Sequence, residues 1–216
     1  MVSGQWSADS PTPYILHPTS PRKEASMKLI LASKSPRRKE ILSMVASDFE
    51  VRVSDADETI DSVIDIFDVP KHLAEIKANA VSYNDGEIII GCDTIVISPD
   101  KEIMGKPKDK NDAIRMLKKL SNTTHYVVSG IAIRNENTVV SDKVITKVTM
   151  RDLTDSEIST YVNRFNPIDK AGAYGIQEMA GAFVSGIEGD FYNVVGLPLC
   201  RLCELLKEKF NVDLLS

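Results

Sequence analysis

The chain reads Ser33-Lys34-Ser35-Pro36-Arg37-Arg38-Lys39 where a short apolar run gives way to a helix-start signal. Four cations and two hydroxyls therefore gather at a helix N-terminus, whose unpaired N–H groups and positive dipole end already favour an anion. Cations at this end oppose the dipole unless an anion joins them, so the pattern points to phosphate. Arg37 and Arg38 are suited to take phosphate oxygens two at a time; a solvated basic turn is the plainer alternative. The second residue with chemistry is Asp93, inside Glu87-Ile-Ile-Ile-Gly-Cys-Asp-Thr-Ile-Val-Ile-Ser98. A strand this apolar is expected to be buried on both faces, where a carboxylate is costly unless hydrogen-bonded, paired or on a metal. A general base or a metal ligand fits. An Asp closing the strand in a turn fits less well, because apolar residues resume after Thr94.

Four further features gain meaning only beside these two. The acidic loop Asp55-Ala56-Asp57-Glu58 could supply carboxylates to a hard cation such as Mg²⁺, although alone it reads as a surface loop. Lys77 follows Leu73 by one turn on the apolar border of a helix, where lysines usually snorkel to solvent. Gly105-Lys106-Pro107 is a rigid turn presenting one cation. Asp169-Lys-Ala-Gly-Ala-Tyr-Gly-Ile-Gln177 combines glycines that admit a ligand to the backbone with an amide that both donates and accepts, as reading a base edge requires.

Other chemistries lack their motifs. Gly105-Lys106 is followed by Pro107 rather than Ser or Thr, so there is no Walker A loop, and no G-x-G-x-x-G follows a strand. His17, His72 and His125 are scattered, and with three cysteines a zinc site is not expected. Cys200 and Cys203 have redox-dithiol spacing, but they alternate with leucines on a terminal helix and read as small core residues.

The elements that must position these groups follow from periodicity. Lys28–Ala32 is a first strand, and Ser35-Pro36 opens a helix with Ile41, Leu42 and Val45 as its apolar stripe. Phe49–Val53 alternates as a strand, Val69–Ser82 is helical, and Glu87–Ser98 is a strand to which Lys101–Met104 returns as a hairpin. Asp109–Leu120 is a helix; His125–Arg134 and Thr138–Met150 are strands. Thr154 and Glu157 have capping-box spacing for a helix to Phe165. Ala182–Ile187 is strand-like and Leu199–Phe210 is an amphipathic closing helix. Alternating strands and helices with antiparallel pairs in the middle mean α/β with a mixed sheet.

Composition narrows the setting. The 216 residues carry 26 Lys+Arg against 31 Asp+Glu, a formal charge of −5, so general binding to a nucleic-acid polymer is not expected. No apolar run approaches the roughly 20 residues that span a bilayer. Residues 1–26 are rich in Ser, Pro and Thr without an apolar signal core, which reads as a disordered tail before one domain over 27–216. Few, odd cysteines make the cytosol the expected compartment.

Together the segments resemble the Maf-like nucleotide pyrophosphatases, relatives of the inosine triphosphate pyrophosphatase fold. The resemblance runs in order from Leu29 to about Leu206, through Leu31-Ala-Ser-Lys-Ser-Pro-Arg-Arg38, Asp57-Glu58, Leu73-Ala-Glu-Ile-Lys-Ala78 and Gly91-Cys-Asp-Thr94. It continues through Gly105-Lys-Pro107, Asp169–Gln177 and Gly189-Asp-Phe-Tyr-Asn-Val-Val-Gly-Leu-Pro198. It implies an elongated mixed sheet flanked by helices, two lobes with a central cleft, and hydrolysis of a nucleoside triphosphate to monophosphate and pyrophosphate with Mg²⁺ or Mn²⁺. Family members acting on dTTP and UTP carry Arg, Thr and Gln at three specificity positions, which fall on Arg37, Thr94 and Gln177. A sister group acting on 7-methyl-GTP differs at the position of Arg37. The implied roles are phosphate neutralisation by Arg37, Arg38, Lys77 and Lys106, donation by Ser33 and Ser35, metal binding by Glu58 and Asp93, and proton abstraction by Asp93. Relatives can form homodimers, and the rival reading is a non-catalytic nucleotide-binding regulator of cell division.

Overall fold

The computed structural model describes residues 27–53, 57–59 and 63–216; the expected tail and Asp55 lie outside the described residues. The described residues form a mixed sheet of seven strands. Strand β1 (Lys28–Ala32) lies parallel to both β2 (Phe49–Val51) and β3 (Glu87–Ile97). β5 (Thr124–Arg134), β6 (Val139–Met150) and β7 (Val184–Glu188) continue antiparallel, while the short β4 (Ile103–Met104) returns along the far end of β3.

Strand parity assigns the layers. Leu29, Leu31, Ile88, Ile90, Cys92, Ile131 and Ile133 pack on α1 (Pro36–Leu42) and α6 (Leu199–Phe210). Farther along the same face, Val96, Val127, Val148 and Met150 pack on α3 (Lys110–Leu120) and α4 (Asp155–Phe165). Two cores side by side on one sheet face make two lobes with a cleft between them. The alternate residues Ile30, Ala32, Ile89 and Ala132 face α2 (Val69–Ala80) on the opposite side.

Two features of β3 create the site. Its pairing with β1 ends at Ala32↔Gly91 and its pairing with β4 starts at Val96, so among the described residues Cys92–Ile95 has a strand neighbour only in β5. Cys92 is still buried, but Asp93 and Thr94 break the buried run of β3 because this gap opens their edge. The second feature is small residues under α2. A Cβ on Gly91 would stand 2.3 Å from the Ala74 carbonyl oxygen, and one on Gly130, the β5 partner of Asp93, 2.1 Å from that of Pro70. Glycine at both positions lets α2 rest directly on the sheet. Arg134 then ties down the end of that helix by donating to the carbonyls of Ala78 (2.9 Å) and Val81 (2.7 Å).

Caps explain where helices begin. The Ser35, Asp109 and Thr154 side chains accept from Arg38, Asp112 and Glu157 N–H groups, and Thr154 with Glu157 forms the expected capping box. Some expectations are corrected. The strand from Phe49 ends at Val51 rather than Val53, and the first helix stops at Leu42, leaving Val45 in a following turn packed on the core. The strand expected over Ala182–Ile187 is split: Met179–Phe183 is a 3₁₀ turn that buries Phe183, and β7 starts only at Val184. A short helix, α5 (Phe191–Val195), was not expected; Asp190 caps it by accepting from the Tyr192 and Asn193 N–H groups. Cys200 is not a core residue, since it is exposed on the first turn of α6, while Cys203 packs partly against the core. Burial and the Glu204 carboxylate raise the Cys200 thiol above its ordinary range, the opposite of an activated redox thiol.

Candidate active site

A cavity of about 960 Å³ opens at the gap in β3. Ser33, Ser35, Arg37, Arg38, Glu58, Lys77, Asp93, Thr94, Lys106 and Gln177 all line it. Asp93 and Thr94 point to opposite sheet faces, and both reach the cavity because the missing strand neighbour opens the sheet there. From α2, Lys77 Nζ donates to Asp93 Oδ1 at 2.5 Å and lies 3.2 Å from Glu58 Oε2. Among the described residues nothing donates to Asp93 Oδ2, which leaves one carboxylate oxygen available to a ligand or a water.

The basic turn after β1 divides its labour. Lys34, Arg37 and Arg38 line the cavity, whereas Lys39 does not, so the expected four-cation cluster loses one member. Arg38 is largely spoken for by the protein. Its Nε donates to the Gly196 carbonyl (2.9 Å), Nη1 to Ser33 Oγ (3.1 Å) and the Cys92 carbonyl (2.8 Å), and Nη2 to Thr94 Oγ1 (3.2 Å). Within the β3 gap it does for the Cys92 carbonyl what a strand neighbour would have done. The Thr94 hydroxyl is likewise engaged, 2.8 Å from Ser129 Oγ and 3.3 Å from the Gly196 carbonyl.

The opposite wall is the loop after α4. Arg37 Nη1 stands 3.5 Å from Asp169 Oδ2, and Asp169 Oδ1 accepts from Lys170 at 2.8 Å. Lys170 also reaches Glu178 Oε1 at 3.3 Å although only 9% of its side chain is exposed. Burial pulls the Asp169 carboxyl upward, but the hydrogen bond and charge of Lys170 outweigh it and leave the group below its ordinary value. Gln177 stands exposed at the loop tip, and the Gly172 N–H donates to the Gly105 carbonyl (3.1 Å), joining this loop to the turn that carries Lys106. Lys106 is exposed and has no ion-pair partner among the described residues. Behind the cavity, the hydroxyl of Tyr174 and Nε2 of His125 lie 2.8 Å apart; burial lowers the His125 pKa to about 4 and raises that of Tyr174.

The family model described as Maf-like protein matches residues 28–209, which includes every residue of this cavity. The chain belongs to the Maf-like family. A dTTP/UTP pyrophosphatase of Acetivibrio thermocellus is 45% identical over 200 residues, covering 88% of this chain and 98% of that protein. One from Clostridium botulinum (strain Kyoto / Type A2) is 49% identical over 187 residues, covering 83% and 96%. Among solved structures, the Ham1 protein of Staphylococcus aureus aligns with a TM-score of 0.42 at 18% identity, over 58% of this chain and 72% of that one.

The Maf-like site offers hard oxygen donors. Glu58 and Asp93 flank the Lys77 ammonium, so their oxygens already converge on one positive charge. No group of three or more His, Cys, Asp or Glu among the described residues could cage a metal. Two carboxylates fit Mg²⁺ or Mn²⁺, which commonly take one or two protein carboxylates and complete their shell with phosphate and water. Other residues around the cavity were not singled out as site residues from the sequence. Ser129 and Gly196 meet Thr94 from 35 and 102 residues away, and Glu178 stands one place beyond the quoted run. Lys170 lay inside that run, but only its burial between two carboxylates marks it out.

Proposed function

We propose that this chain hydrolyses dTTP and UTP, and modified pyrimidine nucleotides of the same shape, to the nucleoside monophosphate and pyrophosphate. The observation that carries the reading is Asp93: one oxygen is held by Lys77, the other has no partner among the described residues, and the residue lines a cavity that Lys34, Arg37 and Lys106 also line. The names of relatives sharing nearly half their residues with this chain support the same substrate class.

In this reading Arg37 and Lys106 receive the triphosphate, with Lys34 beside them, and the Ser35 hydroxyl sits at the N-terminus of α1, where N–H groups favour phosphate oxygens. Asp93 accepts the proton of the water that attacks the α-phosphorus, and Lys77 fixes the orientation of that carboxylate. Pyrophosphate departs toward Lys106 and the basic turn. Gln177 faces the base from the loop tip. Glu58 and Asp93 would hold the divalent cation, which when bound supplies charge neutralisation for the phosphate oxygens. Arg38 and Thr94 shape the pocket floor rather than grip phosphate.

The test is pyrophosphate release with Mg²⁺ or Mn²⁺ across dTTP, UTP, CTP, GTP and 7-methyl-GTP. Release from dTTP and UTP above the others, abolished by a chelator, is the expected result. Preference for 7-methyl-GTP would move the chain to the sister specificity, and no release from any triphosphate would leave a nucleotide-binding regulator. No helix among the described residues is long and apolar enough to cross a membrane; the cytosol remains our proposal from cysteine usage.

A further inference from the structure

Resting on that reading of the cavity, we propose that Asp169, Lys170 and Glu178 form an ionic clasp that sets base selectivity by fixing Gln177 relative to Arg37. Arg37, at the phosphate side, meets Asp169 at 3.5 Å; Asp169 meets the buried Lys170 at 2.8 Å; Lys170 meets Glu178, the neighbour of Gln177, at 3.3 Å. One continuous chain of opposite charges thus joins the two sides of the cavity that would hold the phosphates and the base.

A buried lysine is costly unless its charge is compensated. Here two carboxylates compensate it, and neither is spent on a helix cap or a strand register. The loop backbone is shaped to permit the arrangement. A Cβ on Gly175 would stand 2.9 Å from Lys170 Cε and 3.3 Å from Glu178 Cδ, so the lysine stem lies in the space a side chain would fill. Gly172 and Ala173 both take positive φ, 66° and 61°, which turns the loop back upon Lys170. The Lys170 carbonyl accepts from Ala173 N–H, and the Gly175 carbonyl from Glu178 N–H, at 3.1 and 3.0 Å. Gln177 itself has no described hydrogen bond and is exposed, so its placement depends on the loop beneath it. Lys170 and Glu178 are therefore positioning residues that act through Gln177.

The test is steady-state hydrolysis of UTP, dTTP, CTP and GTP by wild type, Lys170→Met, Glu178→Gln and Gln177→Ala, with thermal unfolding of each. Lys170→Met should lower the kcat/KM ratio of UTP over CTP about tenfold, with KM for UTP rising more than kcat falls. Glu178→Gln should change the ratio in the same direction by a smaller factor. Lys170→Met added to Gln177→Ala should lower it no further, because the clasp acts through that amide. If Lys170→Met fails to fold, the half-exposed Glu178→Gln decides the matter. A lower Tm or a uniform loss on all four nucleotides, with the UTP over CTP ratio unchanged, overturns the clasp while leaving the pyrophosphatase reading intact. A wild type silent on every nucleotide removes both.

Discussion

Gly91→Ala is the sharpest test of how this fold makes its site. The added methyl would lie 2.3 Å from the Ala74 carbonyl oxygen and 2.8 Å from the Ala78 nitrogen, where ordinary contact begins at 3.4 Å. Both neighbours are helix backbone, so no side chain can swing aside and α2 must retreat by about 1 Å. Lys77 rides on α2 three residues beyond Ala74, and its bond to Asp93 Oδ1 is 2.5 Å. A retreat of that size takes the ammonium out of hydrogen-bond range and frees the carboxylate to rotate. Overpacking of this kind costs about 1–3 kcal/mol, or roughly 2–12 °C of Tm in a chain of this size. A misplacement of about 1 Å in a positioned group can cost about 10²-fold in turnover. Gly105→Ala is the matched control, because no atom lies within 4 Å of its added methyl. Circular-dichroism melting and pyrophosphate release should therefore separate the two variants. Gly91→Ala with wild-type Tm and kcat would refute the claim that α2 is seated by that glycine.

Asp93→Asn should keep the wild-type Tm and lower pyrophosphate release by about 10³-fold, the scale of a lost general base; retention of a tenth of the activity would remove Asp93 from that role. Arg38→Ala and Arg37→Ala should part company. The first removes the Arg38 donors from the Cys92 and Gly196 carbonyls, of which Gly196 keeps the Thr94 hydroxyl, and lowers Tm by a loss of about 1–3 kcal/mol, while the second raises KM with little change in Tm. Equal melting temperatures for the two would refute the division between them. Stability should fall with acid in two stages that chemical denaturation can follow. His125 has its pKa lowered from 6.5 to about 4, so below pH 6.5 the unfolded chain binds the extra proton and roughly 3 kcal/mol is lost by pH 4. Glu87, held by Arg52 and lowered from 4.5 to about 2, adds its loss as the pH falls from 4.5 toward 2. His125→Leu should flatten only the upper stage, and an unchanged upper stage would assign that loss to another group.

Ser33, Ser35, Arg37, Arg38 and Asp93 stand out in the sequence because their local surroundings are anomalous, with cations at a helix start and a carboxylate amid Ile and Val, whereas Glu58, Lys77, Thr94, Lys106 and Gln177 take their proposed roles from the family resemblance. Each anomaly lies within a few residues of its cause. What was not legible depends on pairing across the chain. The gap in β3 exists because β1 ends opposite Gly91 and β4 begins opposite Val96, and neither limit can be read from the β3 residues themselves. The use of Arg38 as a structural tie depends on a carbonyl 158 residues away. Cys200 departs from the expected core position because spacing among leucines does not reveal on which side of the stripe a residue falls, and α6 turns it to solvent. The short helix α5 stayed hidden because five residues carry too little periodicity; its stability comes from Asp190 and from Asn193, which donates to the Val127 carbonyl and Thr146 Oγ1.

Charge in the cavity bears on how a chain of net charge −5 could receive a triphosphate. Among the described residues six cations line it, Lys34, Arg37, Arg38, Lys77, Lys106 and Lys170, against five carboxylates, Asp57, Glu58, Asp93, Asp169 and Glu178, a formal balance of 6 − 5 = +1. Most of these charges already face partners. Lys77 lies between Asp93 and Glu58, Lys170 between Asp169 and Glu178, and Arg37 against Asp169. A triphosphate entering without a counterion would have to draw Arg37 from Asp169 and would meet the carboxylates beside Lys77 directly. A divalent cation accompanying it would answer the second difficulty, since on the proposed reading Glu58 and Asp93 would then be ligands instead of repelling charges. On that reading the same carboxylates that make the cavity nearly neutral would favour a nucleotide that brings its metal over the bare polyanion. Overall acidity is no obstacle to such a substrate, because discrimination rests on which charges are already paired around β3.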